Sequence, residues 1–312
     1  MSKMRQFVSV VAYVHNNADR IVPFIKTVMP QCEAFKQCEI VFVDDCSTDN
    51  SIEVIKKYYQ ENPADYIVSI IRMGHYHGME IAMNAGRDMT IGDYVYEFDD
   101  LFVDYDGSLL LEAYNKCLEG NDIVSVTTDV PMKGTSRIFY SIFNKAMKAD
   151  GKIGQESFRL LSRRGINRII SMDVEIPYRK VIYQNSGLST ASIAYKSKTG
   201  TRPARISEKH ERIDLAIDSF IYFTHTIQHI SLIISGLFGL LSLATIIYTF
   251  VSRSMGYHVG MGWTSTMIFM CVGFTGLFGM MAIVIRYLSV LVDLVFKRQK
   301  YLIADIEKIS SK

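Results

Sequence analysis

The stretch Gly92 to Asp106 reads GDYVYEFDDLFVDYD and sets Glu97, Asp99, Asp100, Asp104 and Asp106 behind a run of aromatics and valine. Carboxylates this close need donors or a cation, so the stretch is either a solvated acidic turn or the ligand set of a hard divalent ion. Strand residues two apart share a face, which pairs Glu97 with Asp99. Asp100 points the other way unless the strand ends there, and Asp104 could fold back. The partner of Asp99 is open among Asp100, Glu97 and Asp104.

A second acidic group lies in VDDCSTDNS, Val43 to Ser51, where Asp44 and Asp45 end an apolar run. Ser47, Thr48 or Asp49 suit the N-cap of a following helix. Capping does not account for Asp44 and Asp45, since paired carboxylates there need a cation or donors, which a nucleotide base or ribose would supply.

The basic candidates are spread further along the chain. In GTSRIFYSIFNKAMKA, Gly134 to Ala149, the apolar Ile138, Phe139, Ile142, Phe143 and Met147 share a helical face beside Arg137. Such a helix could lie at a membrane interface and offer Arg137 to a lipid phosphate, or pack on a sheet with Arg137 exposed. Arg159, between apolar neighbours, needs an anionic partner, either substrate phosphate or an Asp of the acid cluster. Lys198 and Arg202 in YKSKTGTRPAR could bind phosphate or a membrane surface. His75 and His77 lie two apart with no third ligand nearby, which fits a loop or nucleotide contact rather than a metal site.

Short β-rich runs alternate with amphipathic ones from residue 7 to about 125, which predicts βαβ units and a mostly parallel sheet. Ligands of such sheets bind at the carboxyl ends of the strands, where these acids fall. Past about residue 220 the composition changes. Ile230 to Val251 and Trp263 to Ile285 are charge-free runs of about 22 and 23 residues, each long enough for a transmembrane helix. Lys297, Arg298 and Lys300 follow the second run while the loop between them carries one arginine, so both ends are expected in the cytoplasm. Both runs contain GLFG, whose glycines could let helices approach closely, as in a homo-oligomer. The segment RYLSVLVDLVFKRQKYLIADIEKI predicts an amphipathic helix at the interface.

Lysine plus arginine number 34 against 32 aspartate plus glutamate, so no basic footprint for nucleic acid exists. Five scattered cysteines give neither zinc spacing nor a disulfide framework. The opening MSKMRQFVSVVAYV lacks a cleavage site and reads as a first core strand rather than a signal peptide.

VDDCSTDNS resembles the nucleotide-binding motif of inverting GT-A-fold glycosyltransferases of family 2, and NAGRDMTIGDYVYEFD resembles the segment leading into their metal-binding DxD. SFRLLSRRGINRI and the two apolar runs extend the similarity to the polyprenyl-phosphate glycosyltransferases. The QxxRW of processive members is absent, since the single tryptophan is Trp263. The resemblance implies a cytoplasmic GT-A domain over residues 1–220 (with an interfacial helix near 134–149), a two-helix membrane domain over 221–290 and an amphipathic tail over 291–312. It implies inverting transfer of one sugar from a UDP- or GDP-sugar to a polyprenyl phosphate at a bacterial plasma membrane. Another lipid acceptor, or a non-catalytic nucleotide-sugar-binding protein, stays open. Asn16, Asp44, Asp45, Asp49, Lys198 and Arg202 would contact the donor, Asp99, Arg137 and Arg159 would serve catalysis, and Asp99 and Asp100 would hold Mg2+ or Mn2+. The chain departs from the pattern in two places: the second Asp of DxD falls on Leu101, and Asn17 follows Asn16 where Glu is usual.

Overall fold

A computed structural model of the chain describes residues 4–130, 156–172, 179–199, 262–296 and 301–310, with single positions between 233 and 255. The chain divides into two compact units, one of residues Met1–Ala216 with Gln299–Lys312, the other Ile217–Arg298.

The first unit is built on an eight-stranded sheet. Its strands are β1 (Met4–Val14), β2 (Phe35–Asp44), β3 (Ile67–Met73), β4 (Tyr94–Phe98), β5 (Ile123–Thr128), β6 (Glu156–Ser162), β7 (Thr190–Tyr195) and β8 (Ile303–Ser310). They lie in the order β7-β5-β6-β4-β1-β2-β3-β8. β4, β1, β2 and β3 run parallel, as do β5 and β7, whereas β6 and β8 run against their neighbours. The expected mostly parallel α/β architecture is therefore present.

The helices α1 (Ala18–Cys32), α2 (Ser51–Glu61), α3 (Met79–Asp88), α4 (Leu109–Leu118), α5 (Arg163–Ser171) and α6 (Arg179–Asn185) cover the two faces. In α1 the buried Ile21, Phe24, Ile25, Val28 and Met29 recur every three or four residues, the stripe a core-facing helix needs. One core joins α1, α2 and α4 to Val8, Val10, Ala12 and Val14; the other joins α3, α5 and α6 to Val11 and Tyr13. The central strand is thus apolar on both faces because both are covered. A Cβ on Gly86 would lie 2.5 Å from Val43 Cγ2 and 2.6 Å from Val11 Cγ1, so only glycine lets α3 sit this close to β1 and β2. This packing sets where the N-terminus of α3 meets the strand ends.

The C-terminal tail corrects the expectation of an interfacial helix. The helix α7 (Gly262–Phe296) spans the whole second charge-free run and continues past it to Phe296. Residues Ile303–Ser310 then form β8, antiparallel to β3. The near-helical alternation of apolar and charged residues along the tail suggested a helix, but the open edge of β3 offers a row of backbone donors and acceptors that a strand satisfies. Counting only the described side chains, no helix presents an apolar stretch long enough to cross a membrane. The sequence carried by α7 from Trp263 to Ile285 nonetheless holds no charge. Most of the first run, the helix expected over 134–149, Arg137 and Arg202 lie outside the described residues.

Candidate active site

The turns after β1, β2, β3 and β4 meet at one sheet edge, and side chains of the first two knit them together. Asn16, at φ 54°, accepts from Thr48 N at 2.8 Å and from Asp49 N at 3.2 Å. Asp49 accepts from Ala18 N at the start of α1 and from Ser51 N at the start of α2, so one carboxylate serves two helix termini. Asp45 is fully buried and accepts from His77 N at 2.9 Å, Gly78 N at 2.8 Å and Tyr13 Oη at 3.2 Å. Burial pushes its carboxyl above the ordinary range, against the pull of the His77, Tyr13 and Gly78 bonds. Of the four residues expected to bind a nucleotide here, Asn16, Asp45 and Asp49 thus bond the backbone of neighbouring turns. Asp44 accepts from Ser47 N at 3.2 Å and lies at the strand end beside it. The rings of His15 and Tyr76 stand 4.9 Å apart across the first and third turns. Cys46 shares the strain of Asn16, with φ 56°, a conformation that non-glycine residues rarely adopt.

The acidic stretch is held by arginines. Glu97 in β4 and Asp99, one residue past its end, reach the same two guanidinium groups, each of which bridges the pair. Arg159, directly across from Glu97 on β6, donates to Glu97 at 3.1 Å and to Asp99 at 2.6 Å. Arg179, the first residue of α6, donates to Glu97 at 2.8 Å and to Asp99 at 2.6 Å, and its Nε reaches Glu80 at 2.8 Å. Tyr183 donates to Glu97 at 2.9 Å, and Glu156 accepts from Arg159 Nε at 3.0 Å. Burial opposes charge on Asp99, but Arg159, Arg179 and Lys180 together hold its carboxyl well below the usual carboxylate range. The same acids raise both arginines well above their ordinary value despite burial.

The remaining acids are also engaged. Asp100 accepts from Arg20 Nη1 at 2.9 Å and from Phe102 N at 3.0 Å. Asp104 accepts from Tyr195 Oη at 2.5 Å and from Ser197 Oγ at 2.8 Å. Asp106 accepts from Ser108 N and from Lys198 Nζ, at 3.0 and 3.3 Å, which brings Lys198 over the acidic turn. Both oxygens of Asp99 are taken by arginine and Asp100 is paired with Arg20. Among the described residues no three of His, Cys, Asp and Glu converge as a metal-binding group. The residues described do not fit a preformed divalent-cation site. The anionic partner that Arg159 requires is the acid cluster. Arg159, Arg179 and Asp99 thus tie the end of β4 to β6, α6 and α3.

A comparison with family models matches residues 9–180 to Glycosyl transferase family 2, more than half of the chain. The chain belongs to glycosyl transferase family 2. Among curated relatives, the uncharacterized glycosyltransferase YkcC of Bacillus subtilis is 25% identical over 64% of this chain and 62% of its own length. An undecaprenyl-phosphate 4-deoxy-4-formamido-L-arabinose transferase of Edwardsiella ictaluri is 37% identical over 31% of this chain and 30% of its own length. The chain thus spans less than two thirds of these relatives. Among solved structures, mannosyltransferase PcManGT from Pyrobaculum calidifontis, in complex with GDP-Man and Mn2+, aligns with TM-score 0.50 at 13% identity over 95% of this chain and 89% of its own. Glucosyl-3-phosphoglycerate synthase from Mycobacterium tuberculosis, with Mn2+ and UDP-Glc, aligns with TM-score 0.50 at 14% identity over 70% and 79%. At such identity these structures establish the GT-A fold.

At this sheet edge the paired loops after β1 and β2 face the arginine-held end of β4. The sequence reading missed Arg179, Glu80, Tyr183 and Arg20. Arg179 and Glu80 lie 99 residues apart, and no periodicity reports such a pairing. The one available signal was the uncompensated charge of the acidic run itself, which required cations from elsewhere.

Proposed function

We propose that this glycosyltransferase moves one sugar from a UDP- or GDP-sugar to a polyprenyl phosphate at the cytoplasmic face of a bacterial plasma membrane. The observation that carries this reading is the path of the chain. It leaves the family 2 unit, runs through a stretch that includes the 35-residue α7, and returns to the same sheet as β8. Met270, Phe274, Leu277, Met281, Val284, Leu288 and Leu291 stand exposed along α7 at intervals of three and four. Water is a poor solvent for that face and lipid is a good one. Two crossings bring the chain back to the side it left.

In the reaction, the anomeric carbon loses its bond to the donor diphosphate and gains one to an oxygen of the lipid phosphate, with inversion. A phosphate monoester has a second pKa of about 6, so the acceptor is largely a dianion at neutral pH and needs no strong general base. Cationic groups must hold both phosphates in line. Lys198 is the described candidate, and Arg137 and Arg202 are proposed beside it from the sequence. Asp44 takes the role of acceptor for donor hydroxyl or base hydrogens.

The test is transfer of labelled sugar from a panel of UDP- and GDP-sugars to polyprenyl phosphate in proteoliposomes. One donor is expected to give labelled lipid, with Asp44→Ala at least about 100-fold slower in kcat/KM and Glu119→Gln unchanged. Label on a different lipid would move the assignment to another acceptor. Nucleotide binding without turnover for every donor would favour the non-catalytic reading, to which the arginine-paired acids also lend weight.

A further inference from the structure

The loop 74–78, between β3 and α3, is held from two sides. On one side Asp45 takes the backbone N–H groups of His77 and Gly78. On the other stands the tail strand. Gly74 N donates to Leu302 O at 2.8 Å, and Leu302 N donates to His77 Nε2 at 3.1 Å. Nδ1 of His77 faces the His75 carbonyl at 2.5 Å, so the neutral ring with its proton on Nδ1 satisfies both contacts. A Cβ on Gly74 would lie 2.9 Å from Leu302 Cδ2, which shows how closely the tail presses on the loop. Further along, Glu307 pairs with Lys56 at 2.7 Å and Arg72 at 3.4 Å, anchoring β8 away from the loop. Tyr301 donates to Asp88 at the end of α3. Between its two anchors the loop carries Tyr76, whose ring faces His15 at the mouth of the donor pocket.

We propose that β8 with Leu302 is a positioning strap for the donor loop, acting through His77 to hold Tyr76 and the Asp45-bonded backbone in the nucleotide-binding conformation. The proposal rests on the reading of this edge as a donor pocket. Its consequence is that donor affinity depends on the segment that immediately follows the second unit. An order imposed before binding need not be imposed during it, so the strap raises affinity by preorganisation rather than by touching the donor.

The test uses the full chain in detergent, with UDP and GDP as probes in calorimetry and donor kinetics alongside. Leu302→Pro removes the N–H that His77 accepts, and His77→Ala removes the acceptor. Each is expected to weaken nucleoside-diphosphate binding about 10-fold and raise donor KM similarly, with kcat within about twofold. The double variant is expected to be no weaker than either single one, because both cut the same contact. Glu307→Gln loosens the far anchor and is expected to lower thermal stability without changing affinity, which separates positioning from stability. Hydrogen exchange at the amides of His77 and Gly78 is expected to quicken in Leu302→Pro. Unchanged affinity and exchange in both single variants would overturn the strap. Faster exchange in a chain that binds neither nucleotide would leave the strap standing and overturn the donor pocket.

Discussion

At the scale of single residues, the end of β4 is governed by Asp99 sitting between Arg159 and Arg179. Removing its charge leaves two buried guanidinium groups undercompensated, so Asp99→Asn is expected to destabilise the protein by about 3 to 5 kcal/mol. Thermal unfolding should fall by roughly 10 °C for a unit of this size. The pH dependence follows from the direction of the shift. The folded carboxyl lies well below the unfolded value of about 3.9, so its contribution is complete above that pH and is lost as pH falls toward the folded value. Wild type should therefore lose stability more steeply than Asp99→Asn below about pH 4, and the gap between them should be flat from about pH 5 to 8. Parallel acid-unfolding curves would contradict the arginine clamp. A loss of transfer in an Asp99 variant is consequently a statement about folding first. The Glu97–Asp99 pair was legible in the sequence from its spacing of two, whereas the cations opposite come from β6 and α6, and only the folded chain brings them there.

At the scale of elements, the βαβ alternation was readable because each strand and helix carries its own periodicity, and β1 to β5 fall where the apolar runs do. The tail was misread because its apolar spacing suits a helix while the vacancy that makes it a strand belongs to β3, more than 200 residues earlier. Placement of α3 was likewise hidden in one residue, Gly86 of NAGRD. Gly86→Ala puts a methyl group within 2.6 Å of Val43 and Val11, which must turn or push the helix outward. Overpacking of this kind costs about 1 to 3 kcal/mol. Because α3 begins at Met79, right after the donor loop, an outward shift should also disturb Asp45's bonds to His77 and Gly78. Gly86→Ala is expected to lower the melting temperature and to weaken nucleoside-diphosphate binding together. A drop in stability with unchanged affinity would mean that the loop is insulated from the helix it leads into.

At the scale of the whole molecule, the return of the chain to its own sheet constrains topology more than charge bias does. β8 shares a sheet with the strands of the family 2 unit, so under the proposed membrane reading whatever lies between Ile217 and Arg298 must end on the side where it began. In the membrane arrangement proposed above, a single crossing is incompatible with this, and two crossings are the smallest number that would bury α7's exposed apolar face in lipid. The expectation from Lys297, Arg298 and Lys300 that both ends lie on one side is a weaker argument, because a few juxtamembrane charges bias insertion without fixing it. The two arguments separate when the charges are removed. With Lys297, Arg298 and Lys300 all changed to glutamine, an epitope placed after Gly260 should still be reached by antibody in intact cells. One placed after Lys312 should still require permeabilisation, because the strand pairing of β8 persists. If the altered chain instead exposes its C-terminal epitope, insertion is set by the charges and the sheet forms only after the tail has reached the catalytic side.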